Sequence, residues 1–363
     1  MPPEAPLGRV SAAAYEIPTD APESDGTLEW DRTTLVVVEI EAGGKTGLGY
    51  SYSDASIVAL IENKLADIVT GRPAFDIVGA NVAMWRAIRN LGRSGLVATA
   101  ISAVDAALWD LKAKLLDVPV VTLLGRCRDS VPIYGSGGFT CYSDNQLREQ
   151  LAGWVERDGC RWVKMKIGSD PARDPERVAT ARRGVGSAGL FVDANGAFAA
   201  RQALALAQRI AEYEIGWFEE PVSSDDAHGL AQVRACAPPG MDIAAGEYGY
   251  NLDDFQRLLP VVDVLQADVT RCGGVSGFMQ VAALCEAHHI GLSGHCAPAL
   301  HLHAACAAPR LRHLEWFHDH VRIEHMLFDG APQPRNGHIV PDMSRPGFGL
   351  DLKRSDAETF RVR

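Results

Sequence analysis

The chain has 363 residues, and 47% of them are hydrophobic, which is enough for a large core and for two domains. The formal net charge of -11 and the lack of lysine- or arginine-rich runs argue against nucleic acid or an anionic membrane as a partner. No apolar run approaches the ~20 residues needed to span a bilayer. Because Met1 to Val10 lacks the apolar core of a secretory signal and the eight cysteines form no C-x-x-C pair, we expect a cytoplasmic protein with reduced thiols.

An N-terminal antiparallel sheet is the first predicted feature. Residues 9–16 have the composition of a strand, and Ile17 to Arg32 is rich in Pro, Asp, Glu and Gly, which predicts a long loop. Leu35 to Ile40 and Thr46 to Tyr50 flank a Gly-Gly turn, a pattern typical of a β-hairpin. The sequence therefore predicts three antiparallel strands.

Two helices are predicted after this sheet. Apolar residues fall at helical spacing from Ile57 to Ile68, before Pro73, and again from Ile101 to Leu115, before Pro119. We assign residues 1–128 to an α+β domain on this basis.

The pattern changes after residue 128, where short apolar strands alternate with amphipathic stretches. The predicted strands are 131–134, 162–166, 190–193, 217–219, 243–245, 264–266, 291–293 and 313–315. Eight strands alternating with helices predict an α/β fold, a closed TIM-type barrel, because the faces of a parallel sheet must be covered. We assign residues 129–328 to this barrel and expect residues 329–363 to pack back on the N-terminal domain.

Polar side chains stand at the ends of these strands. They are Lys164, Lys166, Asp193, Glu219, Glu247, Asp268, His295 and Glu315. From Lys166 onward the intervals are 27, 26, 28, 21, 27 and 20 residues, about the length of one strand, loop and helix. In a β/α barrel such residues gather at the C-terminal face, where catalytic groups collect.

Three of these residues have the chemistry of a metal site. Asp193, Glu219 and Glu247 follow consecutive strands, and oxygen ligands without cysteine suit Mg²⁺, with Mn²⁺ as a possible substitute. For any one acid alone, a helix cap or a solvated loop charge is the more common explanation. Asn195 and Glu220 flank these acids, either supporting them or serving as ordinary loop residues.

Lys164 and Lys166 are candidates for proton transfer, and Glu315 is a candidate for stabilising charge on the substrate. Lys164 and Lys166 are two apart on a strand, so both would point into the barrel. Two adjacent amines near a divalent cation lower each other's pKa, which makes one a candidate general base, although a surface lysine pair is the alternative. As a protonated or hydrogen-bonding acid, Glu315 would stabilise charge developing on a substrate carboxylate oxygen.

Asp268 and His295 are candidates for a carboxylate–imidazole pair on neighbouring strands. A carboxylate on one ring nitrogen fixes the tautomer and raises the basicity of the other nitrogen. The alternative for a lone histidine is a hydrogen-bonded core residue, which is how we interpret His301 and His303. His318 is left without an assignment.

The motifs carrying these residues resemble those of the enolase superfamily, in its mandelate racemase-like subgroup, over essentially the whole chain. The matching motifs are Lys164-Met165-Lys166, Val192-Asp193-Ala194-Asn195-Gly196, Phe218-Glu219-Glu220-Pro221, Gly246-Glu247, Gln266-Ala267-Asp268, Gly294-His295 and Glu315-Trp316. The resemblance implies a modified (β/α)7β barrel with an N-terminal capping domain.

The resemblance also implies roles for the ring. Asp193, Glu219 and Glu247 would hold one Mg²⁺ per subunit. Lys166 would be the base on one face of the substrate, with Lys164 lowering its pKa. His295, held by Asp268, would be acid or base on the other face.

Substrate contacts are implied in the same way. Lys164, Asn195 and Glu315 would bind the substrate within the barrel. Trp30 and Tyr52 would contact it from two loops, Thr19 to Trp30 and Tyr50 to Ser53. The expected partners are a small carboxylate substrate and further copies of the chain, from a dimer to an octamer.

Abstraction of the proton α to a carboxylate is the chemistry that the resemblance implies. Loss of a 3-hydroxyl would then make the protein a sugar-acid dehydratase, giving a 2-keto-3-deoxy acid. The alternatives are a 2-hydroxy-acid racemase or epimerase, or a non-catalytic relative. Muconate-cycloisomerising and dipeptide-epimerising relatives are disfavoured because they carry a lysine where this chain has Asp268.

Overall fold

The computed structural model describes residues 5–363, so the first four residues of the predicted 1–128 domain lie outside the described part. The chain begins with three antiparallel strands, β1 (Val10–Ser24), β2 (Glu29–Ala42) and β3 (Lys45–Tyr52), in the order β1-β2-β3. The predicted three-stranded sheet is therefore present.

The loop predicted from Ile17 to Arg32 is wrong, because most of it extends the two strands and only 25–28 form the turn. Pro18 and Pro22 lie in β1, which is an edge strand, so their missing N–H groups cost no ladder hydrogen bond. The expected loop from Tyr50 to Ser53 is likewise the end of β3.

Six helical segments follow this sheet, and the longest of them packs against it. They are α1 (Ile57–Leu60), a π-helical turn (Ile61–Leu65), α2 (Ala66–Val69), α3 (Ile77–Ala87), α4 (Leu96–Leu115) and α5 (Val120–Leu124). The sequence pattern missed α3 and α5 and began α4 five residues late. Gly47 and Gly49 of β3 let α4 pack against the sheet backbone, since a Cβ at either position would lie 2.2 Å from a carbonyl oxygen of α4.

Eight parallel strands form the closed barrel that was predicted. They are β4 (Val131–Gly137), β5 (Trp162–Lys166), β6 (Gly189–Asp193), β7 (Ile215–Glu219), β8 (Asp242–Ala245), β9 (Val264–Ala267), β10 (Gly291–Gly294) and β11 (Leu311–Phe317). Each strand pairs with the next, and β11 pairs with β4 to close the ring.

Helices connect successive barrel strands, and one more follows the last strand. They are α6 (Asp144–Glu156), α7 (Asp174–Val185), α8 (Ala200–Ile210), α9 (Ala227–Cys236), α10 (Leu252–Leu258), α11 (Gly274–His288), α12 (Pro298–Ala307) and α13 (His318–Leu327); short 3₁₀ turns, Ala211–Tyr213 and Leu259–Val261, follow α8 and α10. Within residues 5–363, no helix combines the length and apolar character needed to cross a membrane.

The end of the chain contacts both the barrel and the N-terminal sheet. It contains β12 (Phe328–Asp329), β13 (His338–Ile339), β14 (Asp351–Leu352) and α14 (Arg354–Glu358). β13 pairs antiparallel with β4. The residues that follow α14 bond to β1: Glu16 N donates to Phe360 O and Ala14 N donates to Arg363 O, both at 2.9 Å.

The barrel interior is filled by large side chains. Tyr134, Phe191 and Trp217 form a cluster with Ala244 and Val264. Phe191 and Trp217 lie two residues before Asp193 and Glu219 on the same strands. An apolar layer therefore lies beneath the predicted ring of polar residues. The Tyr134 ring centroid lies 5.4 Å from Lys164 Nζ.

Candidate active site

The structure brings the predicted polar ring together at the carboxyl ends of the barrel strands, and every member is buried. Its members are Lys164, Lys166, Asp193, Glu219, Glu247, Asp268, His295 and Glu315. Even the most exposed of them, Lys166 and His295, show only 6% of their surface to solvent. Burial removes water as a competitor, so these groups interact chiefly with one another.

The three acids predicted as metal ligands converge on one point. Asp193 and Glu219 are the last residues of β6 and β7, and Glu247 lies two residues beyond β8. One oxygen from each lies within 4.8 Å of the others. Glu247 Oε2 is buried and accepts no hydrogen bond from residues 5–363. Burial and the charge of Asp193 raise the pKa of Glu219 to about 8.

The two lysines lie beside these acids. Lys166 Nζ donates to Asp193 Oδ2 at 2.6 Å and to Asn195 Oδ1 at 3.1 Å. Lys164 Nζ lies 2.5 Å from Glu219 Oε1 and 2.8 Å from Glu315 Oε1. Both amines therefore point into the barrel, as their spacing predicted.

The pKa of Lys166 is shifted in the direction opposite to the expected one. Burial lowers this pKa, but the nearby carboxylates of Asp193 and Glu247 raise it, and Lys164 lowers it by less, so the net effect is a raised pKa. The sequence argument assumed a cation on the acids. Without that positive charge, the acids stabilise the protonated amine.

His295 and Asp268 form the predicted pair. His295 Nδ1 lies 2.8 Å from Asp268 Oδ2, and Asp268 Oδ1 accepts from Thr270 N at 2.7 Å. Burial raises the pKa of Asp268, but its hydrogen bond and charge interaction with His295 prevail and hold that pKa well below its usual value. Burial lowers the pKa of His295, but Glu247 and Asp268 outweigh burial and raise it. The other ring nitrogen, Nε2, lies 3.3 Å from Glu247 Oε2.

Glu315 is held by Lys164 and by two hydrogen-bond donors. Ser136 Oγ donates to its Oε1 at 2.6 Å, and Cys296 N donates to its Oε2 at 3.1 Å. Burial raises the pKa of Glu315, but Lys164 and His295 prevail and hold it well below the usual value. Glu315 is therefore an ionised acceptor in this arrangement.

Of the predicted substrate-binding residues, Asn195 lies beside the polar ring, whereas Trp30 and Tyr52 pack against other side chains. Asn195 faces Lys166, whereas Trp30 Nε1 donates to Glu23 Oε2 at 2.8 Å and its ring packs edge-on against Phe139. Tyr52 is buried, and its ring stacks on His320 with centroids 3.4 Å apart. Trp30 and Tyr52 thus sit in the layer that joins the N-terminal sheet to the barrel.

Three further residues contact the ring and were not among its predicted members. Arg271 Nη1 donates to the Glu247 carbonyl at 3.1 Å and its Nε lies 3.6 Å from Asp268 Oδ2. Its position three residues after Asp268 was the available signal. Ser136 is the second-last residue of the first barrel strand, two residues beyond Tyr134. Cys296 Sγ lies 3.3 Å from His295 Nε2, and its adjacency to His295 was the signal.

The fold and ring together define an α/β barrel with an acid–base site under an N-terminal sheet. Two family profiles match the chain: "Enolase C-terminal domain-like" over residues 146–357 and "Mandelate racemase / muconate lactonizing enzyme, N-terminal domain" over residues 17–125. The chain belongs to the enolase superfamily, in the mandelate racemase-like subgroup, and the resemblance stated from its motifs is confirmed.

Relatives match along almost the whole chain. A 3,6-anhydro-alpha-L-galactonate cycloisomerase of Streptomyces coelicolor is 33% identical, with 96% of this chain and 98% of the relative covered. The structure of a mandelate racemase/muconate lactonizing enzyme-like protein from Rubrobacter xylanophilus has a TM-score of 0.97 and 50% identity, covering 98% and 100% of the two chains. An L-talarate dehydratase from Polaromonas, complexed with Mg and L-glucarate, has a TM-score of 0.88 and 30% identity, covering 99% and 98%. Other relatives are also sugar-acid dehydratases.

Proposed function

We propose that this protein is a Mg²⁺-dependent sugar-acid dehydratase that abstracts the proton α to the substrate carboxylate and eliminates the 3-hydroxyl. The observation that carries the proposal is the placement of two proton-transfer groups around one carboxylate cluster. Lys166 ends the second barrel strand and His295 follows the seventh, with the cluster on the strands between them. The dehydratase relatives favour the same chemistry.

The donor set fits Mg²⁺. Asp193, Glu219 and Glu247 offer only oxygens, which a hard cation prefers. The buried Glu247 Oε2 accepts no hydrogen bond from residues 5–363, although His295 Nε2 lies 3.3 Å away, and a buried carboxylate oxygen without a hydrogen bond is costly. We propose these three acids as the ligands. When bound, Mg²⁺ would supply positive charge that stabilises the negative charge developing on the substrate carboxylate.

Lys166 is the proposed base. The acids that raise its pKa are the proposed ligands, so a cation there would offset their charge. Burial and Lys164, which lower the pKa of Lys166, would then dominate. The neutral amine would take the proton from C2, and that electron pair would pass into an enediolate.

Lys164 and His295 would complete the elimination. Lys164 is held by Glu315 and Glu219, so its ammonium would stand beside the substrate carboxylate as charge develops there. His295, with Nδ1 held by Asp268, would give the Nε2 proton to the departing 3-hydroxyl, which leaves as water. The enol product would tautomerise to the 2-keto-3-deoxy acid.

Cycloisomerisation of a sugar acid is the second candidate, because a curated cycloisomerase is 33% identical over nearly the whole chain. The same proton abstraction would apply, but the oxygen leaving C3 would belong to a ring and stay in the molecule. Racemisation, the alternative weighed from the motifs, would need protonation from the opposite face and no leaving group.

A screen of stereochemically defined aldonic, aldaric and anhydro-sugar acids tests the proposal. Reactions run with Mg²⁺ in deuterated water would be followed by proton NMR and mass spectrometry. Dehydration predicts 3-deoxy methylene signals and loss of one water. A keto acid of unchanged composition would identify a cycloisomerase, and deuterium at C2 with no keto acid a racemase. No exchange with any acid would contradict all three.

The metal is tested by stability as well as activity. Mg²⁺ should raise the melting temperature, because a ligand that binds only the folded state adds about 2.7 kcal/mol at a concentration a hundredfold above its Kd. The rise should be absent in Glu247→Gln and retained in Glu29→Gln, which changes an exposed acid. An equal rise in wild type and Glu247→Gln would contradict the proposed ligands.

A further inference from the structure

The N-terminal hairpin of β1 and β2 reaches over the barrel mouth, and two of its side chains meet a histidine of the barrel in a further set of ligand-type side chains. Asp20, Glu23 and His318 each offer one donor atom, and the three atoms lie within 4.8 Å of one another. His318 follows directly on β11, three residues beyond Glu315. The cluster therefore joins the hairpin to the end of the last barrel strand.

The local backbone explains how these side chains meet. In the β1–β2 ladder, Pro18 pairs with Arg32, but the next pair is Glu23 with Trp30. The intervening residues 19–22 form a bulge that carries Asp20 out to His318, whose Nε2 lies 3.0 Å from Asp20 Oδ2. Bulges commonly redirect a side chain beside a functional site.

An unsatisfied carboxylate oxygen points to a missing partner. Glu23 is 1% exposed. Its Oε2 accepts from Trp30, but its Oε1 is buried with no hydrogen-bonding partner among residues 5–363. The neighbouring Asp319 accepts from Arg322 Nε at 3.1 Å and from Thr33, so its charge is already compensated.

We propose that Asp20, Glu23 and His318 bind a divalent cation of the Zn²⁺ class, separate from the Mg²⁺ proposed in the barrel. One imidazole and two carboxylates suit a borderline cation better than Mg²⁺, which prefers oxygens alone. Zinc ligands lie about 2.0–2.2 Å from the ion, so a small rotation of the exposed Asp20 would bring the donors into range. Partial exposure of Asp20 and His318 leaves a path for the ion.

The cation would fasten the hairpin over the barrel mouth. It would tie the β1 bulge, the buried strand end at Glu23 and the start of α13 into one unit. Without it, the Asp20–His318 pair, the hydrogen bond from Thr33 to Asp319 and the donation from Arg322 Nη2 to Pro18 O at 2.7 Å connect the hairpin to α13. The site would thus add a further tie that strengthens how the hairpin covers the ring of polar residues.

Calorimetric titration of the full chain with Zn²⁺, in excess Mg²⁺, tests this site without any turnover. Wild type should bind one more Zn²⁺ per chain than Glu23→Gln and His318→Gln. Glu29→Gln, on the other arm of the hairpin, and His228→Gln, exposed on a barrel helix, should bind as wild type does. Asp193→Asn should keep the hairpin site, which separates it from the proposed Mg²⁺ ligands.

Hydrogen exchange gives a second readout. Zn²⁺ should slow amide exchange over residues 18–30 in wild type and leave it unchanged in His318→Gln. Equal Zn²⁺ stoichiometry in wild type and both site variants would overturn the proposal, as would equal loss of binding in His228→Gln. Because neither measurement uses a substrate, the result is independent of whether the protein is a dehydratase.

Discussion

His295, one of the two proposed proton-transfer residues, is oriented by a neighbouring carboxylate. That neighbour is Asp268, whose Oδ2 lies 2.8 Å from Nδ1. Asp268→Asn would keep the bond from Thr270 N to Oδ1 but place an amide N–H against the imidazole. The opposite tautomer of His295 would then be favoured. We expect kcat to fall about 10²–10⁴-fold, the usual contribution of general acid–base catalysis.

Steady-state kinetics on the substrate found in the screen would measure that loss. Exposed Asp253→Asn is the matched control and should keep wild-type kcat. In the proposed mechanism Lys166 removes the C2 proton first. Exchange of that proton in deuterated water should therefore be reduced less than elimination in Asp268→Asn. A variant with unchanged kcat would remove His295 from the proposed mechanism.

A second residue-scale prediction concerns His303, which was interpreted as structural. Its Nδ1 accepts from Val121 N at 3.1 Å, and its Nε2 lies 3.2 Å from Phe348 O. Burial lowers the pKa of His303 to about 4. The unfolded chain, with a pKa near 6.5, binds a proton that the folded chain does not. Stability from His303 is thus complete above pH 6.5 and lost as the pH falls toward 4.

Urea unfolding at several pH values would measure this effect. The full contribution is about 3 kcal/mol, at ~1.4 kcal/mol for each pKa unit. His303→Gln should unfold more easily at neutral pH but lose less stability between pH 6.5 and 4 than wild type. Exposed His228→Gln should keep the wild-type slope. An identical slope in His303→Gln would show that His303 does not titrate on unfolding.

The sequence predicted that Asp268 and His295 pair, but it did not predict which carboxylate each lysine contacts. The predicted strand positions were enough to show that Lys164 and Lys166 face inward and that Asp268 lies beside His295. They do not show which carboxylate each amine contacts, because that depends on distances across the barrel. The sign of the Lys166 pKa shift was missed because the sequence argument assumed a cation on the acids, whose negative charges instead raise this pKa.

At the scale of elements, the hairpin of β1 and β2 is the part that positions the site from outside the barrel. Its turn lies directly on the ends of β5 and β6. A Cβ on Gly26 would fall 2.5 Å from Ala194 O and 2.6 Å from Ile167 O. Neither carbonyl can move freely, since Ala194 follows the proposed ligand Asp193. Gly26→Ala should therefore lift the hairpin.

Loss of this contact should lower kcat/KM by about 10- to 100-fold, the effect of misplacing groups by roughly 1 Å. The unfolding midpoint should change little, because the hairpin can move without opening the barrel. Gly216→Ala is the control, since its nearest contact would be 3.7 Å away. Unchanged kcat/KM in Gly26→Ala would mean that the hairpin does not order the site.

The barrel was predictable element by element, whereas the N-terminal hairpin was not. Barrel strands are short apolar runs at even spacing, and each predicted strand falls within the observed one or differs at its ends by one or two residues. The hairpin contains Pro18 and Pro22 and many acidic residues, which local rules assign to a loop. Its strands exist because β2 offers a partner and the edge position tolerates proline.

At the scale of the whole molecule, the two ends of the chain support each other. Backbone groups of the last residues pair with β1: Glu16 N donates to Phe360 O, and Val362 N donates to Ala14 O at 2.9 Å. This pairing covers the outer edge of the N-terminal sheet. An uncovered edge strand is a template for association with other chains.

Deletion of residues 354–363 should expose that edge while leaving the barrel intact, because these residues supply no strand to it. Hydrogen exchange should speed up at residues 14–16 but not in β6 or β7. Light scattering on warming should begin at a lower temperature than in wild type, since the freed edge of β1 can pair between molecules. Arg354→Ala, which removes only the ion pair with Glu39, is the control and should behave as wild type. Because β1 also forms half of the hairpin over the barrel mouth, the deletion should raise KM as well. Wild-type exchange at residues 14–16 in the deletion variant would mean that β1 holds its place through β2 alone.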